Sequence, residues 1–229
     1  MKKPVIAIDG YSSTGKSSIS KVIAKKLGLI HLDTGALYRG IAYYASENCR
    51  TSDGEIHWQK LFDGFDDIRL EFKEVDNELL LYLNGQDIST EIRTASVSDL
   101  VSHVAKQAEV RSFLLEAQRA IAKKGGVIMD GRDIGTVVLP DADIKFFLTA
   151  SIEERTKRRF HELQTLGIEA DEEEVKQNLI TRDKIDSERE IAPLKQADDA
   201  ILIDNSEMDK KQTIELMLSI IKQKFDSKV

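Results

Sequence analysis

Short apolar runs alternate with longer amphipathic stretches along most of this chain. Four runs have the length and composition of buried strands: 5–8, 127–129, 144–148 and 200–203. Helical patterns cover 18–27, 37–47, 98–123, 152–166, 172–190 and 211–224. Because strands that alternate with helices form a parallel sheet covered on both faces, the pattern predicts an α/β fold. Ligands of such sheets bind beyond the carboxyl ends of the strands, where Asp33 and Asp130 are expected.

Residues 64–95 follow a different pattern, in which apolar and polar positions alternate. The alternation covers 68–72 and 78–83 and closes on Asn84-Gly85, a dipeptide that favours tight β-turns. This segment predicts a small β-meander inserted into the α/β core.

The composition narrows the class of protein without changing the predicted fold. The 229 residues carry a net charge of −7, which argues against a general nucleic-acid-binding protein, since these are usually basic. Cys49 is the only cysteine, which excludes an internal disulfide and a cysteine metal cluster and favours a reducing compartment. No apolar run reaches the length of a membrane span, and the first is too short for a signal peptide. A cytoplasmic protein without nucleic-acid or membrane partners is expected.

The octet at positions 10–17 matches the phosphate-binding pattern G-x-x-x-x-G-K-[ST] in full. It lies between a predicted strand and a predicted helix, which is the order that a phosphate-binding loop requires. Lys16 would reach the β- and γ-phosphates of a nucleoside triphosphate, and the Ser17 hydroxyl would hold Mg²⁺. The predicted triphosphate-binding residues are Gly10, Tyr11, Ser12, Ser13, Thr14, Gly15, Lys16, Ser17 and Ser18.

A second candidate site follows the apolar run 127–129 and reads Asp-Gly-Arg-Asp-Ile-Gly-Thr. A strand-end aspartate such as Asp130 often only caps a helix or a turn. Here Arg132 and Asp133 lie in the same short segment. Two carboxylates beside a guanidinium group favour a substrate-binding role.

Residues 32–39, Leu-Asp-Thr-Gly-Ala-Leu-Tyr-Arg, allow two interpretations. Asp33 or Thr34 can be an ordinary N-cap that precedes ordinary helix residues, and the segment taken alone favours this interpretation. In the other interpretation, Thr34 offers a hydroxyl to a second nucleotide and Arg39 clamps its phosphate with bidentate hydrogen bonds.

Arginines recur at helical spacing in the C-terminal half of the chain. Two sets each share a helix face: Arg155, Arg158 and Arg159, and then Arg182, Asp186 and Arg189. Neighbouring glutamates also permit a solvated helix with ion pairs. The arginine placement favours a mobile lid, whose closure would exclude water and bring positive charge to a migrating phosphoryl group.

Purely structural roles are expected for several residues that are often functional in other proteins. His31, His57, His103 and His161 are scattered along the chain without the spacing of a metal site, and Trp58 is expected to pack in a core.

Taken together, these segments resemble the bacterial cytidylate kinases of the nucleoside monophosphate kinase group, over essentially the whole chain. The resemblance rests on the phosphate loop, the 32–39 segment, the insertion that ends in Glu91-Ile92-Arg93, and the runs 130–138, 182–183 and 189–194. It implies a phosphate-loop NTPase fold and transfer of the γ-phosphate of ATP to CMP or dCMP, with Mg²⁺. It also implies a CMP site lined by Thr34, Tyr38, Arg39, Arg111, Asp130, Arg132, Asp133, Arg182, Asp186 and Arg189.

Within the family's CMP site, Arg111 and Asp133 suit the cytosine edge, and Asp186 would lie near the sugar. Thr34 stands where the family commonly has serine, and either hydroxyl can bond the base. The loop positions 11, 13 and 14 carry larger residues than the Pro, Gly and Ala often found in the family. The pattern accepts any residue at these positions, so the substitutions can shift triphosphate affinity without abolishing binding.

Phosphoryl transfer depends on positioning and electrostatic stabilisation, and the chain presents no obvious nucleophile for a covalent intermediate. The predicted catalytic residues are Lys16, Arg132, Arg155, Arg159 and Arg182. The predicted organisation is one domain with a core of 1–32, 96–150 and 190–229, an acceptor-binding region of 33–95 that includes the β insertion, and a lid of about 151–189. The family suggests a monomer.

Three alternative functions compete with this one. A kinase of the same fold could act on UMP, AMP or shikimate, but the β insertion and the Gly-Arg-Asp run argue against it. A GTPase-like switch would need D-x-x-G and N-K-x-D elements, and the chain has neither. A module that binds ATP only structurally would transfer phosphate to no acceptor.

Overall fold

The computed structural model describes residues 3–75 and 78–226 and contains two compact units. The first unit is formed by Met1–Leu32 and Ile121–Val229, and the second by Asp33–Ala120. The predicted core range 96–150 therefore runs across both units. Residues 1–2 and 227–229 of the predicted core, and 76–77 of the predicted β insertion, lie outside the described residues.

The elements are, in chain order, β1 (Val5–Gly10), α1 (Lys16–Leu27), β2 (Ile30–Asp33), α2 (Thr34–Asn48), α3 (Trp58–Asp63), β3 (Leu70–Val75), β4 (Glu78–Leu83), β5 (Gln86–Asp87), α4 (Ala95–Ala105), α5 (Ala108–Ala122), β6 (Val127–Gly131), β7 (Ile144–Thr149), α6 (Ile152–Thr165), α7 (Glu172–Glu188), β8 (Ile201–Asp204) and α8 (Lys210–Asp226). Short 3-10 turns occur at Phe65–Asp67 and Glu91–Arg93, and a π-helical turn occurs at Ile134–Val138.

The first unit is built on a five-stranded sheet with the strand order β2-β6-β1-β7-β8. β1 pairs in parallel with β6 and β7, and β7 pairs in parallel with β8. Successive side chains of β1, such as Ile6, Ala7 and Ile8, are all fully buried, so both faces of this central strand are covered. Ile23 of α1 and Met217 of α8 share a core with these strands. The predicted α/β fold with a parallel sheet is confirmed.

The second unit has its own hydrophobic core, in which helices pack with a small antiparallel sheet. Ile41 of α2, Val104 of α4 and Leu81 of β4 are buried together in this core. The sheet has the order β3-β4-β5, and its second turn contains Asn84 and Gly85, both with positive φ. This is the β-meander that the alternating pattern predicts.

Helices α6 and α7, which belong to the first unit, pack on each other through a separate small core. Leu163 of α6 contacts Val175 and Leu179 of α7 in this cluster. Both helices begin at side-chain caps, since Ser151 and Asp171 each accept a backbone N–H in the first turn. In the described parts of the chain, no helix is both long and apolar enough to cross a membrane.

Three features of the fold differ from the elements predicted from the sequence. The single helix expected over 98–123 is instead α4 followed by α5, and Nη1 of Arg111 donates to the carbonyl oxygen of Ala105 at 3.3 Å, close to the break. This bond satisfies a carbonyl group that the end of α4 leaves without a helical partner. Strand β2 and helix α3 were not predicted, because four and six residues are too few to show a clear period.

Candidate active site

The phosphate loop connects β1 to α1, and two glycines determine its shape. Gly10 has a φ of 152°, and a Cβ atom there would lie 2.1 Å from the carbonyl oxygen of Leu148, so a side chain would clash with β7. Gly15 has a left-handed backbone with a φ of 85° and leads directly into α1. The loop therefore presents the N-terminus of α1, a favourable position for a phosphate group, next to the carboxyl end of β1.

Lys16 and Thr14 hold the loop from within. Nζ of Lys16 donates to the carbonyl oxygen of Tyr11 at 2.8 Å, and Oγ1 of Thr14 donates to the same oxygen at 3.0 Å. Only 7% of Lys16 is exposed. The predicted phosphate-binding cation is thus anchored against the loop.

Asp130, at the end of β6, joins side chains from two other elements of the first unit. Its Oδ2 accepts a hydrogen bond from the Ser17 hydroxyl, and its Oδ1 lies 2.6 Å from Nε2 of His31. Asp130 itself is almost completely buried, with 1% exposed. A purely structural role was expected for His31, but the unpredicted strand β2 brings its ring to this carboxylate.

The oxygen atoms of Ser17 and Asp130 fit Mg²⁺. This hard cation prefers oxygen ligands and usually combines one or two carboxylates with phosphate oxygens and water. Among the described residues, no group of three or more His, Cys, Asp or Glu side chains could hold a metal ion. A Mg²⁺ ion would therefore be held by these two side chains together with the phosphates of the nucleotide.

Asp9, at the end of β1, supports the segment that carries the second candidate site. Its carboxylate accepts the backbone N–H groups of Ile134 and Gly135, each at 2.7 Å, at the start of the π-helical turn. Burial raises the pKa of Asp9 to about 7, although the two backbone hydrogen bonds and Lys16 oppose this shift. A buried carboxylate thus fixes the backbone that directly follows Asp133.

Arg132 connects the phosphate loop to α7 within the first unit. Its Nη2 donates to Oγ of Ser12 at 2.7 Å, and its Nε donates to Oδ2 of Asp186 at 2.9 Å. Arg189 continues this network, because its Nη2 donates to Oδ1 of Asp133 at 3.3 Å. The structure therefore brings four predicted acceptor residues into one cluster that begins at the loop.

The charge of Asp186 is stabilised by this cluster. Burial by itself would raise the pKa of Asp186, but Arg132 and Arg189, with a smaller contribution from Arg182, hold it below its usual value. Asp186 is therefore a buried, ionised carboxylate that can accept hydrogen bonds.

The arginines of α6 have different environments. Arg155 is 7% exposed and donates to the carbonyl oxygens of Ala150 and Ser12, at 3.0 and 3.4 Å. Its Nη1 also donates to Asp183 of α7 at 2.5 Å, and its guanidinium lies 5.2 Å from the ring centre of Tyr11. The arginine thus ties the phosphate loop to both helices of the predicted lid.

Arg158 and Arg159 differ from Arg155 in their partners. Nη1 of Arg158 donates to Oδ1 of Asn205 at 3.0 Å, and to the Thr14 carbonyl oxygen of the loop at 3.4 Å. Arg159, a predicted catalytic residue, donates to Glu162 on its own helix at 2.8 Å. Arg158 thus contacts the loop and Arg159 pairs within its own helix, although the spacing of both suggests the same role.

The second unit contains four further predicted acceptor residues, Thr34, Tyr38, Arg39 and Arg111, whereas the fifth, Arg182, lies on α7 of the first unit. Asp33 is the N-cap of α2, accepts the N–H of Ala36, and pairs with Nη2 of Arg39 at 2.7 Å. The guanidinium of Arg111 lies 5.5 Å from the ring centre of Tyr38. Thr34, the first residue of α2, is buried.

A phosphate loop between a strand and a helix, an acidic residue at the neighbouring strand end and an arginine cluster beside the loop define a P-loop phosphotransferase. The solved structure of an uncharacterized protein from Eubacterium ventriosum ATCC 27560 shares this fold. The TM-score is 0.54 at 14% identity, over 97% of this chain and 99% of that chain.

The family is shown by sequence similarity. The family model described as cytidylate kinase matches residues 6–223. Curated cytidylate kinases of Bacillus cereus (strain ATCC 10987 / NRS 248) and Bacillus thuringiensis (strain Al Hakam) are each 44% identical over 220 residues, 96% of this chain and 96% of theirs. The chain belongs to the cytidylate kinase family.

Proposed function

We propose that this protein transfers the γ-phosphoryl group of ATP to CMP or dCMP, giving ADP and CDP or dCDP. The observation that carries the proposal is the double contact of Arg132 in a chain of the cytidylate kinase family. Nη2 of its guanidinium contacts Ser12 of the phosphate loop, and Nε contacts Asp186. This arrangement suits an enzyme in which a donor phosphate and an acceptor must lie side by side.

The donor ATP would bind residues 10–18, with its phosphates at the N-terminus of α1. Lys16 would move its hydrogen bonds from the Tyr11 carbonyl oxygen to the β- and γ-phosphates. An oxygen of the acceptor phosphate then attacks the γ-phosphorus, and the bond from this phosphorus to the oxygen bridging it to the β-phosphorus breaks, which releases ADP. The acceptor is already an anion, so the reaction needs no strong general base.

Mg²⁺, held by Ser17 and Asp130, would supply neutralisation of charge on the donor phosphates. Arg132, Arg155 and Arg182 would add positive charge around the transferred group, which is the main form of catalysis in phosphoryl transfer. Arg159 would have to exchange Glu162 for a phosphate oxygen to join them.

The acceptor residues of the first unit have chemistry that suits cytidine. The carboxylate of Asp133 can accept a hydrogen bond from the exocyclic amino group of cytosine, a pairing that also serves in base recognition by other proteins. Asp186 can accept sugar hydroxyl groups, and Arg189 can bind phosphate. In the second unit, we assign Thr34, Tyr38 and Arg111 to the base and Arg39 to the acceptor phosphate.

The proposal extends to the organisation of the protein. The region 33–95 would bind the acceptor, and the segment of about 151–189 would act as the lid that excludes water during transfer. We also propose that the protein is a monomer in the cytoplasm and that it has no nucleic-acid or membrane partner.

A panel of acceptors tests the proposed function. ADP formation would be measured by a coupled assay with CMP, dCMP, UMP, AMP and shikimate, each with ATP and Mg²⁺. We expect turnover well above the background ATPase rate with CMP and dCMP. A signal from another acceptor, with none from CMP, would show that the chain is a kinase of different specificity. ATP binding without any acceptor-dependent signal would indicate a nucleotide-binding protein only.

A further inference from the structure

His31 has a contact that neither the phosphate loop nor the acceptor cluster explains. It lies in β2, next to β6 in the sheet, and its Nε2 is 2.6 Å from Oδ1 of Asp130. About a sixth of the His31 side chain is exposed, at 17%, whereas the side chain of Asp130 is 1% exposed. The imidazole is therefore the more exposed partner of a deeply buried carboxylate.

The two oxygens of Asp130 have different partners. Oδ2 accepts the hydroxyl of Ser17, the residue assigned to Mg²⁺, and Oδ1 faces the imidazole. A carboxylate in its ionised form can only accept hydrogen bonds, and His31 is the donor in the tautomer that carries the proton on Nε2. A hydrogen bond to one oxygen limits rotation of the carboxylate and so determines the direction of the other oxygen.

We propose that His31 is a positioning residue for the metal-binding oxygens of this site. Its Nε2–H group holds Oδ1 of Asp130, which keeps Oδ2 directed towards Ser17. This role assumes one part of the proposed function, namely that Mg²⁺ binds together with the nucleotide. It does not depend on which acceptor receives the phosphoryl group.

Partners that orient a metal-binding carboxylate commonly change metal affinity or activity by about 10-fold to 100-fold when they are removed. His31→Met removes the donor and keeps a side chain of similar length. His31→Gln keeps an N–H donor at the end of the side chain. His161, which is exposed on α6 in the same unit, offers a matched control in His161→Met.

The test measures binding of Mn²⁺·ADP by calorimetry in the absence of any acceptor. We expect His31→Met to weaken this complex by about 10-fold or more, while ADP binding in EDTA stays unchanged. His31→Gln should restore most of the affinity, and His161→Met should match the unmodified protein. In kinase assays, His31→Met should require more Mg²⁺ for half-maximal rate.

Three results would overturn the proposal: unchanged Mn²⁺·ADP affinity in His31→Met, an equal loss in His31→Gln, or an equal loss of ADP affinity in EDTA.

A measurement on the unmodified chain serves if His31→Met does not fold. Nitrogen NMR of the imidazole should show a proton on Nε2 of His31, and the signal should shift when Mg²⁺·ADP is added. An unprotonated Nε2, or a signal that does not respond, would contradict the proposal. Because no acceptor is present, these outcomes are independent of whether CMP is the substrate.

Discussion

Two neighbouring strands of the parallel sheet end in aspartates that look alike in the sequence and differ in the structure. Asp9 ends the apolar part of β1 and binds the backbone N–H groups of Ile134 and Gly135. Asp130 lies near the end of β6 and binds the side chains of Ser17 and His31. A carboxylate that binds buried backbone supports the fold, whereas one that binds partly exposed side chains is available for chemistry.

Replacing Lys16, the lysine of the phosphate loop, should have the largest effect on activity. The positive charge of Lys16 partly opposes the rise in the pKa of Asp9. Lys16 also donates a hydrogen bond to the carbonyl oxygen of Tyr11 in the loop. Lys16→Ala should reduce kcat for CMP phosphorylation by about 10³-fold, because charge stabilisation of the transferred group is lost. Circular dichroism and the urea unfolding midpoint should show an intact fold. Near-normal turnover would rule out the assigned role of Lys16.

Removal of the Asp130 carboxylate should affect activity far more than stability. We expect Asp130→Ala to lower kcat by about 10²-fold, because the Mg²⁺ ligand is lost. Two of its partners, Ser17 and His31, are partly exposed and can turn to water. The free energy of unfolding should therefore change by about 1 kcal/mol or less.

A third strand-end aspartate provides the matched control for this variant. Asp204 ends β8, is exposed, and its side chain bonds the nearby Ser206. Asp204→Ala should retain normal turnover. If Asp130→Ala and Asp204→Ala lost turnover equally, the position of an aspartate at a strand end, and not its hydrogen-bond partners, would determine its effect on activity.

Asp9 should behave in the opposite way to Asp130. Asp9→Ala leaves the N–H groups of Ile134 and Gly135 without their acceptor in a buried site, which costs about 1–3 kcal/mol for a buried donor. Chemical unfolding at pH 6, near or below the raised pKa of Asp9, should detect this loss. A stability equal to that of the unmodified protein, with a large loss of turnover, would reverse the roles assigned to the two aspartates.

The raised pKa of Asp9 also predicts a pH dependence of the free energy of unfolding. Its pKa is about 7 in the folded protein, compared with 3.8 for an ordinary aspartate. The folded state therefore binds the extra proton between these values, and the contribution of Asp9 to stability falls as pH rises from about 4 to about 7. Asp9→Asn lacks this titration, so the unmodified protein should lose stability relative to Asp9→Asn across that window. A constant difference between the two would contradict the raised pKa.

Local patterns in the sequence predict the chemistry of the phosphate loop and the α/β fold well, because these depend on short segments. The glycines at positions 10 and 15 and the strand–loop–helix order are all visible in the first 27 residues. Short segments of this kind also carry the resemblance to the cytidylate kinase family, which the family model and the curated relatives confirm.

The partners of the two aspartates could not be predicted in the same way. They depend on the strand order β2-β6-β1, which places residues about 100 positions apart in the chain beside each other. His31 lies in a strand too short to show a period, and Asp9 resembles an ordinary strand end. The break between α4 and α5 is likewise accompanied by a hydrogen bond from Arg111, which no helical period reveals.

The most direct test of the central claim follows the γ-phosphorus of ATP into the product. The protein would be incubated with radiolabelled γ-phosphate ATP, Mg²⁺ and CMP, and the nucleotides separated by chromatography. We predict that the label appears in the β-phosphate of CDP, in an amount equal to the ADP formed. Label that appears only in inorganic phosphate, with CMP unchanged, would contradict the account.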